Sequence, residues 1–239
     1  MENLTKNDQS GLLTESSILD AKLQRRSFLQ YAGAGAAVVA LTAAGCKKDK
    51  VMVPSGVTLD FKDDFGVLNY AYALEQLEAA FYIKVASAPP STFTTAEKNY
   101  FNDIQYHEIA HREFFKAALG TAAIGSLEVD FSSINFTDRT SVLATAKAFE
   151  DLGVSAYNGA GVRIKNTTYL LAAGKIVSVE ARHAAYIRDL ISNGSFSNLN
   201  ELNALGADDT KGLDASLTPD KVLAIAGTYI KTKVNVINL

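Results

Sequence analysis

Two short stretches carry side chains that could hold a metal ion: Glu108-Ile109-Ala110-His111 and, seventy-two positions later, Glu180-Ala181-Arg182-His183. Residues three apart lie on one face of an α-helix, so each stretch would aim a carboxylate oxygen and an imidazole nitrogen at a common point. The chain has only three histidines in 239 residues, and two of them follow a glutamate at this spacing.

Their placement sharpens the reading. At alternating steps of three and four, one segment runs Phe101, Ile104, Glu108, His111, Phe115, Ala118, and another runs Ala173, Ile176, Glu180, His183, Ile187, Leu190. Two more segments show the same interruption: Phe65, Leu68, Tyr72, Glu75, Ala79, Tyr82 and Leu143, Ala146, Glu150, Gly153, Tyr157, Ala160. Each has a carboxylate in the apolar stripe that should face a core. A charge there is costly unless it is paired or bound to a metal. A metal-free polar network of the same side chains is the plainer alternative. Four carboxylates against two histidines and Arg182 leave that network short of positive charge, and crowded like charges resist ionising. Glu75, Glu108, His111, Glu150, Glu180 and His183 are therefore the expected metal ligands.

Four carboxylates and two imidazoles suit two cations that share bridging carboxylates. Hard oxygen donors mixed with imidazole favour iron or manganese over copper, and the lack of cysteine among them argues against structural zinc. Tyr82 and Tyr157 each lie seven places after a ligand glutamate. They read either as core aromatics whose polar tip finds a partner, or as catalytic groups that hydrogen-bond a ligand or give an electron to the site. Glu78, three after Glu75, could face the site but reads rather as a charge lying to one side of it, either at the surface or just behind the ligands. His107 adjoins Glu108 and points about 100° away from the ligand stripe, which leaves it outside the site.

Four helices must carry these residues. The first runs from Phe61 to about Ala86, because Ala88-Pro89-Pro90 cannot continue it. The second opens at Thr94 or Thr95, with Glu97 completing a capped first turn, and stops at Gly120. Thr121 to Asp138 shows no helical period and reads as a long crossover on the surface of the bundle. The third helix begins near Asp138 or Thr140 and continues to about Lys165; the fourth runs from Tyr169 to Ile191, before Ser192-Asn193-Gly194. Short link, long crossover, short link is the connectivity of an antiparallel four-helix bundle with one crossover. Phe196 to Leu217 reads as loop, and Thr218-Pro219-Asp220 as the start of a last helix through about Lys233. The fold class is all-α, with the bundle at 61–193 and a loop-and-helix extension at 194–239.

The two halves of the bundle echo each other. Glu75-x-Leu77-x4-Tyr82 matches Glu150-x-Leu152-x4-Tyr157, and each is followed some thirty residues later by Glu-x-x-His. A helix pair repeated about a pseudo-twofold axis would bring both sets to one central point.

Composition sets the remaining bounds. A hydrophobic content of 48% fills a core, and a net charge of -3 without a basic face beyond the amino terminus gives no footprint for nucleic acid. Residues 1–46 do not belong to the bundle. Arg25-Arg26-Ser27-Phe28-Leu29, the apolar small-residue run Tyr31 to Ala44, and Ala43-Ala44-Gly45-Cys46 resemble a twin-arginine export signal joined to a lipoprotein cleavage box, with Ala43 where such boxes more often carry Leu. At about 14 residues the apolar run is short of the roughly 20 a spanning helix needs. The resemblance implies export by the twin-arginine route, diacylglycerol on the Cys46 thiol, membrane attachment through that lipid, and a periplasmic or cell-surface location. Cys46 is the only cysteine, so no intramolecular disulfide can form, and residues 47–60 read as a tether.

The ligand pattern, one Glu from each of two helices and Glu-x-x-His from each of the other two, resembles the ferritin-like superfamily over about residues 60–193. More narrowly, Leu74-Glu75-Gln76-Leu77-Glu78-Ala79-Ala80-Phe81-Tyr82 with Ser178-Val179-Glu180-Ala181-Arg182-His183 is similar to exported ferritin-like proteins related to plant desiccation-associated proteins. The symmetry is nearer to bacterioferritin and rubrerythrin than to animal ferritin, without the rubredoxin-like cysteines of rubrerythrin. The resemblance implies that Glu75 and Glu150 are terminal ligands, that Glu108 and Glu180 bridge, and that His111 and His183 take one metal each. It implies a redox protein that meets O2 or H2O2, as a ferroxidase or peroxide scavenger. A manganese catalase would use the same ligands, and a desiccation or stress module with a merely structural metal is a different class of answer. Iron storage in a closed shell fits a lipid anchor and a long tail poorly, while a homodimer remains compatible.

Overall fold

The computed structural model describes residues 56–239; the expected signal, Cys46 and the expected tether as far as residue 55 lie outside them. The elements, in order, are β1 (Val57–Asp60), α1 (Asp64–Ser87), α2 (Thr95–Leu119), α3 (Arg139–Gly161), α4 (Thr167–Ile191), α5 (Pro219–Ala226) and β2 (Val234–Ile237). The protein is an all-α, antiparallel four-helix bundle: α1 packs on α2, α3 packs on α4, and α1 meets α3 to join the two pairs. None of the described helices is long and apolar enough to cross a membrane.

Local chemistry sets the helix ends. Asp63, Asp138 and Asn166 each accept hydrogen bonds from the first free backbone N–H groups of α1, α3 and α4. Thr94 and Glu97 form the expected reciprocal capping box at α2. These caps fix where each helix begins, and so which residues reach mid-bundle.

α1 is apolar nearly all round, and correspondingly it is the most enclosed helix, buried from Gly66 to Ala79. Its outer side is covered by the crossover, which the amide side chains of α1 hold down. Asn69 donates to the carbonyl of Ala122 (2.9 Å) and accepts from the N–H of Ile124 (2.8 Å), and Gln76 accepts from the N–H of Leu127 (2.9 Å). Phe81, Phe131, Phe136 and Phe149 then form one aromatic cluster between crossover and bundle.

α3 is covered by the chain that follows the bundle. The loop expected over 196–217 folds into short 3-10 turns, and the backbone of Leu217 lies directly on Gly159 of α3. Arg188, almost fully buried, makes a two-pronged ion pair with Asp151 (2.8 and 2.7 Å) and reaches Glu201 (3.1 Å), tying α4, α3 and the extension together. The last helix ends at Ala226, a turn and more before the expected Lys233, where Gly227 begins a 3-10 turn.

Two strands depart from the expectation. Residues 57–60, read as the end of a tether, pair in parallel with 234–237, with Val57 opposite Val234 and Asp60 opposite Ile237. The described chain is thus closed on itself by its own first and last elements.

Candidate metal centre

Glu75, Glu108, Glu150 and Glu180, one from each helix of the bundle, are all fully buried, and His183 is 5% exposed. His111 is half-buried at the edge of the same cluster. The six expected ligands are therefore together, in two overlapping groups: Glu75, Glu108, His111 and Glu180, and Glu108, Glu150, Glu180 and His183. Within each group one oxygen or nitrogen from every member lies within 4.8 Å of the others.

The geometry distinguishes shared from terminal carboxylates. Glu108 turns Oε2 towards His111 Nδ1 (3.6 Å) and Oε1 towards His183 Nδ1 (3.0 Å). Glu180 does the same, with Oε1 at 2.8 Å from His111 Nδ1 and Oε2 at 3.6 Å from His183 Nδ1. Glu75 faces only His111 (3.6 Å), and Glu150 only His183 (3.4 Å). Two carboxylates that each give one oxygen to either side are placed as bridges between two positions.

Eight buried atoms of this cluster have no hydrogen-bond partner: Glu75 Oε2, Glu150 Oε2, both oxygens of Glu108 and Glu180, and Nδ1 of His111 and His183. The short His–Glu distances are approaches that make no hydrogen bond, between atoms gathered in two groups. Orphaned buried polar atoms are rare because each carries a desolvation cost. Two divalent cations would satisfy all eight and balance four carboxylates with neutral histidines, so the donor set fits a pair of metal ions. Arg182, the other positive charge weighed for this network, is exposed.

Without cations the cluster holds protons instead. Burial, then the neighbouring Glu180, pushes the Glu108 carboxyl well above the usual range, and burial raises Glu75 as well. Burial lifts Glu150 to about 7, against the pull of His183. Burial opposes the charge on His111 and His183, but the carboxylates around them overcome it and push both up to about 12. Glu180 alone goes down, to about 2, because the two histidines outweigh its burial.

The tyrosines resolve in favour of a hydrogen-bonding part. The Tyr82 hydroxyl donates to Glu150 Oε1, and the Tyr157 hydroxyl donates to Glu75 Oε1. Each tyrosine thus serves the glutamate of the other half, a reciprocal exchange that the pseudo-twofold repeat demands. Burial, with a carboxylate beside each ring, raises both phenols well above their ordinary value and keeps them protonated as donors.

Two residues outside the ligand set take places that the sequence left open or hid. Glu78 is 4% exposed, so of its two expected places it takes the one behind the ligands and not the one at the surface. Burial and all four cluster carboxylates push its carboxyl well above the usual range, and its Oε1 would lie 3.0 Å from a Cβ on Gly153. Gly153 is the repeat counterpart of Glu78, just as Glu150 is that of Glu75; the glycine makes the room that the extra carboxylate fills. His107 is indeed turned away from the carboxylates, but its Nδ1 is 2.9 Å from Nε2 of His183. The measure taken from Glu108 hid this. His107 is four residues before His111, hence about 40° from it around the helix, on the side facing α4.

Fold and site together define a class, a four-helix bundle whose core holds a carboxylate and imidazole cluster able to take metal. The family model described as a ferritin-like domain matches residues 63–193, more than half of the chain, and the protein belongs to that family. A search among curated proteins finds no match.

Proposed function

We propose that the protein is an exported di-iron carboxylate protein that oxidises ferrous iron or consumes peroxide, with Glu75, Glu108, His111, Glu150, Glu180 and His183 as the metal ligands. The observation that carries this reading is the division of labour in Glu108 and Glu180, each with one oxygen towards either histidine. A single structural cation would need only one of the two groups.

Bound iron would supply the electrons and the Lewis acidity for reaction with oxygen or peroxide. The chain supplies the setting. Glu75 and Glu150 each have one oxygen held by a tyrosine, which leaves the other oxygen free for a cation. Buried apolar neighbours, Phe101, Ile104, Phe115 and Ile187 among them, keep bulk water away from the carboxylates. His111, the half-buried ligand, marks the side from which a small oxidant reaches the cluster. The exported location rests on Arg25-Arg26 and the Cys46 box, and a tether from a lipidated Cys46 would place the bundle beside a membrane.

The test is elemental analysis of protein taken from its native membrane fraction, followed by anaerobic ferrous titration and measurement of oxygen and peroxide consumption. Two metal ions per chain and consumption of either oxidant are expected. A chain that carries no metal and is inert towards both oxidants sinks the proposal, and Arg25→Lys with Arg26→Lys should abolish export without touching the metal content.

A further inference from the structure

The repeat that builds the cluster is broken beside it at Glu78 and Gly153, and again at His107. Seventy-two residues separate Glu108 from Glu180 and His111 from His183; the same interval from His107 leads to Val179, which has no nitrogen or oxygen in its side chain. One ligand histidine therefore has a protein partner for its far nitrogen. Its counterpart does not: among the described residues no hydrogen bond from the protein reaches His111 Nε2.

The contact is a hydrogen bond rather than a stack. The ring planes of His107 and His183 are 9° from parallel with centroids 5.2 Å apart, while the nearest nitrogens are only 2.9 Å apart. Bonded nitrogens so much closer than the centroids lie between them, with the two rings edge to edge in a shared plane. An imidazole lone pair lies in the plane of its ring, so this arrangement aligns donor and acceptor.

The direction of the bond follows from the cluster. His183 Nδ1 faces Glu108, Glu150 and Glu180, so the nitrogen offered to His107 is Nε2, which carries a proton when Nδ1 is a metal ligand. His107 Nδ1 accepts that proton. The tautomer of His107 is then also fixed, with its own proton on Nε2 of an exposed ring.

We propose that His107 is a positioning residue that holds the His183 ring with Nδ1 turned to the carboxylates, and that it makes the metal position at His183 tighter than the one at His111. The inference rests on the metal-binding reading above. Partners of this kind on a metal-bound histidine are worth 10–100-fold in metal affinity. Here the benefit falls on one cation of the two, so the two positions fill in order, with that of Glu108, Glu150, Glu180 and His183 first.

The experiment uses cobalt(II) as the probe, by calorimetry and by its visible spectrum, on the full exported chain. Wild-type protein is expected to take two cobalt ions in two resolved steps. His107→Ala should weaken the tighter step 10–100-fold and leave the other unchanged, merging the two. His107→Gln, whose amide oxygen can accept the same proton, should restore the separation. Since His107 is exposed, both variants should keep the wild-type melting curve without metal, and nitrogen-15 spectra of the metal-free imidazoles should show the His183 Nε2 proton shared with His107. Equal weakening of both steps, or no change in either, overturns the positioning proposal alone. Wild-type protein that binds no cobalt removes the metal reading and this proposal with it.

Discussion

Four glutamates in the middle of a helical core are a liability until something positive reaches them, and each can be assigned a distinct share of it. Replacing a bridging residue should disturb both metal positions, whereas replacing a terminal one should disturb one. Glu108→Gln is therefore expected to lower bound metal towards zero, and Glu75→Gln to leave about one ion per chain, as measured by elemental analysis after gel filtration. In the metal-free fold Glu108 stays buried only by taking up a proton, which costs stability at neutral pH where the unfolded carboxyl is ionised. Gln needs no proton, so at pH 7 the metal-free variant should unfold at a higher temperature than the metal-free parent, by about 1 kcal/mol or more in stability. A bridging variant that keeps full metal would rule out the assignment. The tyrosines predict the opposite sign. Tyr82→Phe leaves Glu150 Oε1 buried without its donor, which costs about 1–3 kcal/mol in the metal-free protein, and Tyr157→Phe should do the same through Glu75. Denaturant unfolding in chelator measures both, and phenylalanine variants as stable as the parent would show that the hydroxyls hold nothing.

At the scale of elements, what was legible depended on whether the signal was local. The four helices, their caps at Thr94 and Asp138, and the crossover could be read because caps and apolar periodicity act within a few residues. The six cluster residues could be read for the same reason, since each interrupts a stripe it belongs to. The strand pair could not. Val57–Asp60 is four residues long and meets its partner almost at the other end of the chain, so nothing nearby in sequence announces it. The contact between His107 and His183 likewise joins two helices, and the inward burial of Glu78 depends on a glycine on another helix. Gly159 shows how such long-range contacts constrain single residues. A Cβ there would fall 1.7 Å from the carbonyl oxygen of Leu217, and around it Leu217 N–H bonds to Ser155, Ser155 to Leu205, and Asn158 to Ala215. Gly159→Ala should therefore push the extension off α3 at a cost of about 1–3 kcal/mol. Limited proteolysis should then cut between residues 199 and 217 while the metal content stays at the parent level, and an uncut, equally stable variant would contradict this packing.

For the whole molecule, protons and cations compete for one cavity, and that competition sets how stability responds to pH. In the metal-free protein His111 and His183 are raised from 6.5 to about 12, Glu150 from 4.5 to about 7, and Glu75 and Glu108 are raised as well. A raised group binds its proton more tightly in the folded state, so the stability it adds is fully present below its unfolded value and is lost as pH climbs through its folded one. Between pH 5 and 8 these groups all pull in the same direction. Glu180, lowered to about 2, acts the other way, but only below about pH 4.5, where its contribution fades with falling pH. Metal-free protein should therefore lose stability from pH 5 to pH 8, by about 1.4 kcal/mol per pH unit for every proton the folded state holds in excess. Cations must displace those same protons to bind, so their affinity rises with pH, and at a thousandfold excess over Kd each contributes about 4 kcal/mol. Thermal unfolding at pH 5, 6, 7 and 8, once with chelator and once with excess cobalt or manganese, should give a falling curve and a rising one that diverge towards pH 8. Parallel curves would mean that the metal binds somewhere other than among these protons, and the bundle would then keep its buried carboxylates for a reason unconnected with metal.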